Sequence, residues 1–309
     1  MNTQIPRLSI GLPVYNGENY LATAIDSILR QSFGDFELII ADNASSDRTQ
    51  ELCRVFAAED NRVRYLRQAT NLGAAANYNS TLAHARGKYF KWAAHDDVCL
   101  PGFLQACIDY LDHHPDTVLC HCRCQGIDTL GDIKGVYPEE RSFDGPTAAS
   151  RFWPAITAPH VCIAVFGVMR RNVLLKTSRH GDWVGADRNL LAELCLHGKL
   201  VLLPQYLFQR REHPLASIHR YNSEAERLAW FAAPGSALAG SHPTWRRLRE
   251  YILAIGRSPL ARAQKLSCYL LLCFWPWKKH HTGTRNIKLL VRESLPNAGG
   301  KGRPRERGQ

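Results

Sequence analysis

The stretch Lys91-Trp92-Ala93-Ala94-His95-Asp96-Asp97-Val98 changes from apolar to acidic within a few residues. Lys88 to Ala93 is predicted to form a buried strand, so the two carboxylates come where this strand leaves the core. Adjacent carboxylates at such a place repel each other unless a cation lies between them or water surrounds them. The stretch therefore predicts either a cation site or a solvated Asp-Asp turn before a helix that follows Pro101.

Three strand-and-helix units precede this stretch. Strands are predicted at Leu8 to Pro13, Phe36 to Ala41 and Val63 to Leu66, each followed by a helical pattern. Alternating strands and helices are typical of right-handed βαβ units, so we predict an α/β fold with a mostly parallel, Rossmann-like sheet flanked by helices. Ligands of such sheets bind beyond the carboxyl ends of the strands, where polar clusters follow the strands here. These clusters are Pro13 to Asn16, Asp42 to Ser46, Asn71 to Asn77 and His95 to Asp97.

Short sequence patterns predict two helix ends and several later strands and helices. Asp47 and Gln50 have capping-box spacing for the second helix, and Gly87 is predicted at the C′ position of a third helix ending near Arg86. Further strands are predicted at 117–123, 200–203 and 206–208, with a hairpin around 129–132 and a helix rich in leucine from 190 to 196.

Composition describes a soluble globular protein with an uneven charge. Of the net charge of +11, residues 241–309 carry 15 Lys and Arg against three Glu, so the preceding body is nearly neutral. The N-terminus, Met1 to Arg7, has no apolar export segment, so we expect a cytoplasmic protein. The ten cysteines are therefore expected to be reduced and mostly buried, and Cys120, Cys122 and Cys124 alternate along one strand instead of converging on a metal.

The basic C-terminal region is predicted to be a helical extension at 223–296, followed by a disordered tail at 297–309. Its apolar segment Leu270 to Trp277 is shorter than the roughly 20 residues of a spanning helix, and Lys278 and Lys279 follow at once. One interpretation lays this segment in an anionic membrane surface at the inner face of the cell membrane, with Trp275 and Trp277 at headgroup depth. The other packs it onto the catalytic domain.

Phosphate binding by a glycine loop is excluded, because the chain has neither G-x-G-x-x-G after its first strand nor G-x-x-x-x-G-K-[ST]. The charge of a bound diphosphate would then have to be neutralised in another way. Mg²⁺ or Mn²⁺ on Asp96 and Asp97 would do this, because these ions accept one or two protein carboxylates together with phosphate oxygens and water.

Four stretches in order resemble the motifs of family 2 glycosyltransferases. They are Leu-Ser-Ile-Gly-Leu-Pro-Val-Tyr-Asn-Gly-Glu (8–18), Ala-Asp-Asn-Ala-Ser-Ser-Asp (41–47), Asn-Leu-Gly-Ala-Ala-Ala-Asn (71–77) and His-Asp-Asp (95–97). The resemblance covers about the first 215 residues and implies a GT-A fold, a nucleotide-diphospho-sugar donor, a divalent metal and an inverting mechanism. We therefore expect a glycosyltransferase domain at 1–222, with a nucleotide-binding half at about 1–100 and an acceptor half at about 101–222.

The resemblance also assigns residues to the donor. It implies that the nucleotide-sugar lies against Pro13, Val14, Tyr15, Glu18, Asp42, Asn43, Ser45, Asn71, Gly73, Asn77 and Asp96. A carboxylate at a strand end, such as Asp42, can accept paired hydrogen bonds from a ribose or a base edge. The alternative for Asp42 is that it caps a turn, and Asn71 could simply occupy a left-handed turn position.

Asp96 and Asp97 stand where the family has its D-x-D-like metal motif, with His95 in place of the usual first carboxylate. Arg211 and His213 follow the last strand-like segment, where they would meet the departing diphosphate or complete the metal shell. The alternative for both is a solvated turn before Pro214.

Inverting transfer needs one base for the acceptor hydroxyl. Asp187 is the first candidate, because Gly185-Ala186-Asp187 opens a helix where the family carries its acidic motif, although an Asp there is also a common cap. Asp182 is the second candidate. Trp183 is a candidate for stacking on a sugar, with a core position as the alternative.

These observations predict a metal-dependent inverting glycosyltransferase acting on a glycan or lipid-linked acceptor, in cell-surface polysaccharide assembly. A sugar-nucleotide nucleotidyltransferase would need a Gly-rich loop with a basic residue in place of Pro13-Val14-Tyr15-Asn16. A nucleic-acid-binding protein would account for the net charge, but the basic excess is confined to the tail and no recognisable motif accompanies it. We therefore expect no nucleic-acid partner.

Overall fold

Nine strands form one mixed sheet in the computed structural model of the chain, which describes residues 5–138, 140–216, 224–231 and 243–281. The strands are β1 (Leu8–Val14), β2 (Phe36–Asp42), β3 (Val63–Arg67), β4 (Tyr89–Trp92), β5 (Val98–Cys99), β6 (Thr117–Ile127), β7 (Ile133–Val136), β8 (Val168–Arg170) and β9 (Lys199–Arg211). Their order is β3-β2-β1-β4-β8-β6-β9-β5, and β7 pairs with β6.

Parallel pairing dominates the sheet, as predicted. The long pairings β1 with β2, β1 with β4, β2 with β3 and β6 with β9 are parallel, whereas β5, β7 and β8 make short antiparallel pairings. The hairpin around 129–132 is confirmed as the β6–β7 turn. The two strand-like segments at 200–203 and 206–208 are one strand, β9, whose register against β6 shifts beside Cys122 and Arg123.

Helices cover both faces of the sheet. They are α1 (Leu21–Leu29), α2 (Thr49–Glu59), α3 (Ala74–Ala83), α4 (Phe103–His113), α5 (Ala148–Thr157), α6 (Arg171–Leu174), α7 (Ala186–His197), α8 (Glu224–Phe231), α9 (Pro243–Arg257) and α10 (Arg262–His281). Apolar side chains of α1, α2 and α4 pack on one face, and those of α3, α5 and α7 pack on the other. All ten cysteines are free thiols, and nine of them are buried, as predicted.

The described helices of the C-terminal extension, α9 and α10, pack on α5 and α7. Tyr251, Leu272 and Trp275 are buried in the same core as Phe152 of α5. Trp275 Nε1 donates to the Ile156 carbonyl oxygen at 3.2 Å, and only 2% of the residue is exposed. The placement of Trp275 at membrane headgroup depth is therefore wrong.

The remaining predictions for the tail lie largely outside the described residues. The side chain of Trp277 and residues 282–309, with the predicted disordered segment 297–309, are not among them. Within the described ranges, no helix combines the length and the hydropathy that crossing a bilayer requires.

Two predicted helix ends differ from the structure. The predicted capping box of Asp47 and Gln50 is wrong. Helix α2 begins at Thr49 after Arg48. Asp47 Oδ1 accepts a hydrogen bond from the Thr49 N–H at 3.0 Å, an interaction in which Gln50 has no part. Helix α3 ends at Ala83, four residues before Gly87. Gly87 instead permits close backbone contact with β1, because a Cβ there would lie 2.7 Å from the Ser9 nitrogen.

Candidate functional site

A cavity of about 550 Å³ opens at the carboxyl ends of β1, β2, β4 and β9. Its wall contains eleven of the residues predicted for donor, metal or base. These are Pro13, Val14, Tyr15, Asn43, Asn71, Asn77, Asp96, Asp97, Asp187, Arg211 and His213. The structure therefore brings the four sequence motifs together at one sheet edge, as the parallel topology requires.

Three of the predicted donor residues, Glu18, Ser45 and Gly73, do not line the cavity but help to shape its loops. Ser45 Oγ accepts from the Asn16 N–H at 2.9 Å, which ties the loop after β2 to the loop after β1. Glu18 Oε2 accepts from the Arg48 N–H at 3.0 Å. Gly73 has φ of +80°, a left-handed conformation that allows the chain to turn into α3. Their roles toward a nucleotide stay predictions.

Asp42 is also turned inward. It is fully buried, its Oδ1 accepts from the Ser45 N–H at 2.8 Å, and its Oδ2 accepts from the Tyr65 hydroxyl at 2.8 Å. The Arg67 guanidinium forms an ion pair with the same oxygen. In this conformation Asp42 closes a turn, and a ribose or base would have to displace Tyr65 or Arg67 to reach it.

An amide cluster lines the cavity between β1 and α3. Asn43 Nδ2 donates to Asn71 Oδ1 at 2.8 Å, and Asn77 Nδ2 donates to the Ala41 carbonyl oxygen at 2.7 Å. Asn77 Oδ1 is buried and has no hydrogen-bond partner within the described residues. A buried acceptor without a partner costs free energy, so this oxygen suits a ligand that supplies an N–H or O–H.

The two carboxylates are held by the end of β9. Asp97 Oδ1 accepts from the Arg211 N–H at 3.0 Å, and Asp96 Oδ2 lies 3.0 Å from His213 Nε2. Arg211 Nε donates to the Asp96 carbonyl oxygen at 3.0 Å. The acidic pair and its two basic partners thus form one hydrogen-bonded unit on the cavity wall.

The surroundings of Asp96 and Asp97 shift the pKa values of the two carboxyl groups in opposite directions. Burial, followed by the negative charge of Asp96, raises the pKa of Asp97. Burial acts to raise the pKa of Asp96 as well, but the positive charge of His95 and the hydrogen bond from His213 outweigh it, so the pKa of Asp96 is lowered. Asp96 is therefore the member of the pair that ionises more readily.

The donor set fits a hard divalent cation. Two carboxylates and an imidazole lie on one wall, and a cation would offset the burial and the repulsion by Asp96 that raise the pKa of Asp97. The described residues contain no group of three or more His, Cys, Asp or Glu converging as a complete ligand set. This agrees with an ion that takes part of its shell from phosphate oxygens and water.

Asp187 occupies a different wall of the cavity, in the first turn of α7. The adjacent Arg188 anchors this turn by donating to the carbonyl oxygens of Ala158 at 3.0 Å and His160 at 2.9 Å. Burial, followed by the charges of Asp96, Asp97 and Asp187, raises the pKa of Tyr78. All three carboxylates therefore act on one ring, as members of one site.

The two alternatives near Asp187 lie outside the cavity. Asp182 Oδ1 is 2.8 Å from Arg246 Nη2 in an ion pair, and half of its side chain is exposed. The Arg246 guanidinium also lies 4.8 Å from the Trp183 ring centroid. The suggested stacking of Trp183 on a sugar is not supported by this placement, because Arg246 covers the ring.

Sequence reasoning selected Arg211 and missed Arg210. The Arg211 guanidinium is occupied, since Nη1 donates to the Asp128 carbonyl oxygen at 2.8 Å and the group lies 4.8 Å from the Tyr20 ring centroid. Arg210 also lines the cavity, where its guanidinium lies 5.7 Å from the Tyr137 ring centroid and makes no ion pair or side-chain hydrogen bond with the described residues. The Arg210-Arg211 doublet was the available signal, but both residues line the cavity, and their spacing does not show which guanidinium donates to backbone carbonyl oxygens.

Further cavity residues carried no recognisable signal. Tyr20 packs on His213 with ring centroids 4.7 Å apart, and Tyr78 and His180 line the wall near Asp187. Burial lowers the pKa of His180, so its ring is neutral at pH 7. Trp230 and Phe231 of α8 complete this side of the cavity.

Comparison with known sequences gives consistent matches. The profile of a family described as Glycosyl transferase family 2 matches residues 9–176. An uncharacterized glycosyltransferase of Rickettsia typhi is 33% identical over 142 residues, which are 45% of this chain and 43% of that protein. The glycosyltransferase GlyG of Streptococcus pneumoniae is 36% identical over 91 residues, 29% of this chain and 30% of GlyG. The chain thus matches less than half the length of these curated relatives.

Solved structures share the fold. S. aureus TarS 1-349 in complex with UDP-GlcNAc superposes with a TM-score of 0.62 at 16% identity, covering 91% of this chain and 74% of that chain. The mannosyltransferase PcManGT from Pyrobaculum calidifontis, in complex with GDP-Man and Mn²⁺, superposes with a TM-score of 0.52 at 16% identity, covering 89% and 72%. These superpositions confirm the predicted GT-A-type arrangement of the sheet and helices.

The pKa of Asp97 is raised and that of Asp96 is lowered, so replacing each of them by Asn should change the stability of the fold in opposite directions. A raised folded pKa means that ionising Asp97 costs stability as pH rises above about 4, so Asp97→Asn should raise the melting temperature at pH 7.5. A lowered folded pKa means that ionised Asp96 adds stability above about pH 4, so Asp96→Asn should lower the melting temperature at pH 7.5.

Thermal melts in metal-free buffer at pH 7.5 and pH 4 test this. A change on the order of 1 kcal/mol corresponds to roughly 2–4 °C for a domain of this size. The Asp97→Asn difference should shrink at pH 4, whereas the Asp96→Asn difference should largely persist there, because the stability that comes from a lowered pKa is lost only as pH falls through that folded value. Asparagine keeps an oxygen for the Arg211 N–H, so the Asp97 variant tests charge alone. A lower melting temperature for Asp97→Asn at pH 7.5 would contradict the proposed electrostatics.

Proposed function

The chain belongs to glycosyl transferase family 2, and from this we propose that it transfers a sugar from a nucleotide-diphosphate donor to an acceptor hydroxyl, with inversion at the anomeric carbon. The observation that carries the proposal is one cavity whose walls contain the Asp96–Asp97 pair, the Arg210 guanidinium and the Asp187 carboxylate. Such a cavity offers separate groups for a diphosphate and for a hydroxyl that must lose its proton.

The nucleotide is proposed to lie at the ends of β1 and β2. Pro13, Val14 and Tyr15 supply an apolar edge for a base, and Tyr15 is 40% exposed. Asn77 Oδ1 supplies an acceptor that lacks a partner within the described chain. The donor diphosphate then extends toward Asp96 and Asp97, within reach of Arg210.

Asp96, Asp97 and His213 would hold Mg²⁺ or Mn²⁺. When bound, such an ion supplies Lewis-acid stabilisation of the negative charge on the leaving diphosphate. The carboxylate oxygens of Asp96 and Asp97 suit either ion. The fold relative PcManGT was solved with GDP-Man and Mn²⁺, which is compatible with this proposal.

The chain's own residues account for the proton and for part of the charge. Asp187 takes the proton of the acceptor hydroxyl as its oxygen bonds to the anomeric carbon. The bond from that carbon to the diphosphate oxygen breaks in the same step, and the nucleoside diphosphate leaves with the electron pair. Arg210 stabilises the charge that develops on this leaving group. A single displacement inverts the anomeric configuration.

Metal dependence of nucleotide binding is the direct test. Calorimetric titration of UDP, GDP and TDP is expected to give at least about tenfold tighter binding of the cognate nucleotide with Mn²⁺ than with EDTA. Asp97→Asn should abolish this difference, whereas the control Asp128→Asn, on the β6–β7 turn, should keep it. Equal affinity with Mn²⁺ and EDTA would refute the metal role.

Asp187→Asn should reduce turnover by about 100-fold or more while donor affinity stays nearly unchanged, because the amide preserves shape but accepts no proton. Donor turnover with its acceptor and nucleotide binding are measured on the same preparation. The control is Asp182→Asn, whose carboxylate pairs with Arg246 outside the cavity and should be dispensable for turnover. A fully active Asp187 variant would place the base elsewhere.

We also propose that the enzyme works at the inner face of the cell membrane on a glycan or lipid-linked acceptor, in cell-surface polysaccharide assembly. Support comes from the outer face of α10, where Leu266, Leu270 and Phe274 recur every four residues and are 55–63% exposed. The segments 243–257 and 262–281 together carry eight Lys and Arg against one Glu. An exposed apolar stripe on a basic helix pair suits an anionic lipid surface.

Vesicle co-sedimentation tests this docking face. Removing α10 would also remove Trp275 from the core, so Leu270→Glu with Phe274→Glu is the sharper variant. The parent should sediment with anionic vesicles, less so as salt rises, and the double variant should stay in solution. Leu130→Glu, at an 86% exposed leucine of the β6–β7 turn, is the matched control. Unchanged sedimentation of the double variant would refute membrane binding through this face of α10.

A further inference from the structure

Aromatic rings form an unbroken series from the core to the cavity. Trp92 is fully buried and lies 6.1 Å from Tyr78, measured between ring centroids. Tyr78 lies 4.7 Å from His180, and His180 lies 5.8 Å from Phe231 at an interplanar angle of 28°. Phe231 in turn lies 4.7 Å from Trp230. The last four of these rings line the cavity.

Hydrogen bonds fix the inner part of this series. Trp92 Nε1 donates to the Tyr78 carbonyl oxygen at 3.0 Å. Asn79 exchanges two hydrogen bonds with the backbone of His180, since its Nδ2 donates to the carbonyl oxygen at 2.7 Å and its Oδ1 accepts from the N–H at 3.1 Å. The backbone of His180 is therefore held in place, and its ring packs on Phe231.

The series ends beside the proposed base. Asp187 and His180 line the same part of the cavity, and the charge of Asp187 acts on the His180 ring. His180 Nδ1 lies 3.2 Å from the Gly181 carbonyl oxygen, which can only accept, so the neutral ring carries its proton on Nδ1. The nucleotide is proposed on other elements, at the ends of β1 and β2. The aromatic rings thus border the side on which an acceptor hydroxyl has to arrive.

We propose that Trp230 and Phe231 form an acceptor subsite that binds a neutral pyranose ring by stacking against its C–H face. The π-face of an aromatic ring carries negative charge density, and the C–H groups of a pyranose present a weakly positive apolar surface to it. Tryptophan offers the largest such face, and Trp230 is half-buried and lines the cavity. The subsite rests on the proposed function, because it supplies the acceptor for Asp187.

Binding of methyl β-D-glucopyranoside to the full chain tests the subsite, with sorbitol as the matched probe that has hydroxyls but no ring. Saturation-transfer NMR titrations give the dissociation constants for the parent and for Trp230→Ala, Trp230→Leu and Trp230→Phe. Trp245→Ala is the control, since Trp245 is 68% exposed on α9 and does not line the cavity. Nucleotide titration with Mn²⁺ on each variant reports the donor site and the fold independently.

The parent is expected to bind the glycoside and not sorbitol. Trp230→Ala and Trp230→Leu should weaken glycoside binding about fivefold or more, whereas Trp230→Phe and Trp245→Ala should stay within about twofold of the parent. Nucleotide binding should be equal in all of them. The acceptor subsite would be overturned if Trp230→Ala bound the glycoside as well as the parent does. It would also be overturned if this variant lost affinity for the nucleotide instead of for the glycoside. Absence of nucleotide binding in the parent would instead count against the proposed function.

Discussion

The hydrogen bond from the Arg211 N–H to Asp97 Oδ1 joins two parts of the chain that are 114 residues apart. It fixes the end of β9 against the turn that follows β4, and the His213 contact with Asp96 follows from the same junction. Without it, two adjacent carboxylates would be buried with little to offset their repulsion. The cavity depends on this junction, because its acidic wall comes from one half of the sheet and its basic partners come from the other.

The fold could largely be predicted from sequence, because it depends on local periodicity. Buried strands such as β1 and β2 read as apolar runs, and the topology of parallel βαβ units then places their carboxyl ends at one edge. For the same reason the loops bearing Tyr15, Asn43 and Asp97 could be predicted to meet. The contacts of individual side chains could not be predicted in this way. Asp42 has the expected position, but Tyr65 and Arg67 occupy its carboxylate.

Contacts of this kind are not encoded in spacing. Lys91 shows why: it is fully buried, its ammonium donates to the Trp92 carbonyl oxygen at 3.0 Å, and it lies 4.8 Å from the Phe103 ring centroid and 5.3 Å from that of Phe208. Periodicity predicts a buried strand position there without indicating that a charge occupies it. This charge also acts to lower the pKa of Asp97, against the larger effect of burial. The acidic pair therefore has a positive group behind it in the core.

The C-terminal extension contacts the surroundings of the proposed base, Asp187, through α9. The loop before Asp187 packs against this helix, since the Arg246 guanidinium lies over the Trp183 ring. The backbone of the same helix is bound by α7, where Asn189 Nδ2 donates to the Arg247 carbonyl oxygen at 3.2 Å. A carboxylate that must take a proton from a bound hydroxyl tolerates little displacement, and errors near 1 Å are costly. The extension is thus part of what positions the proposed base, although no sequence motif of the site lies within it.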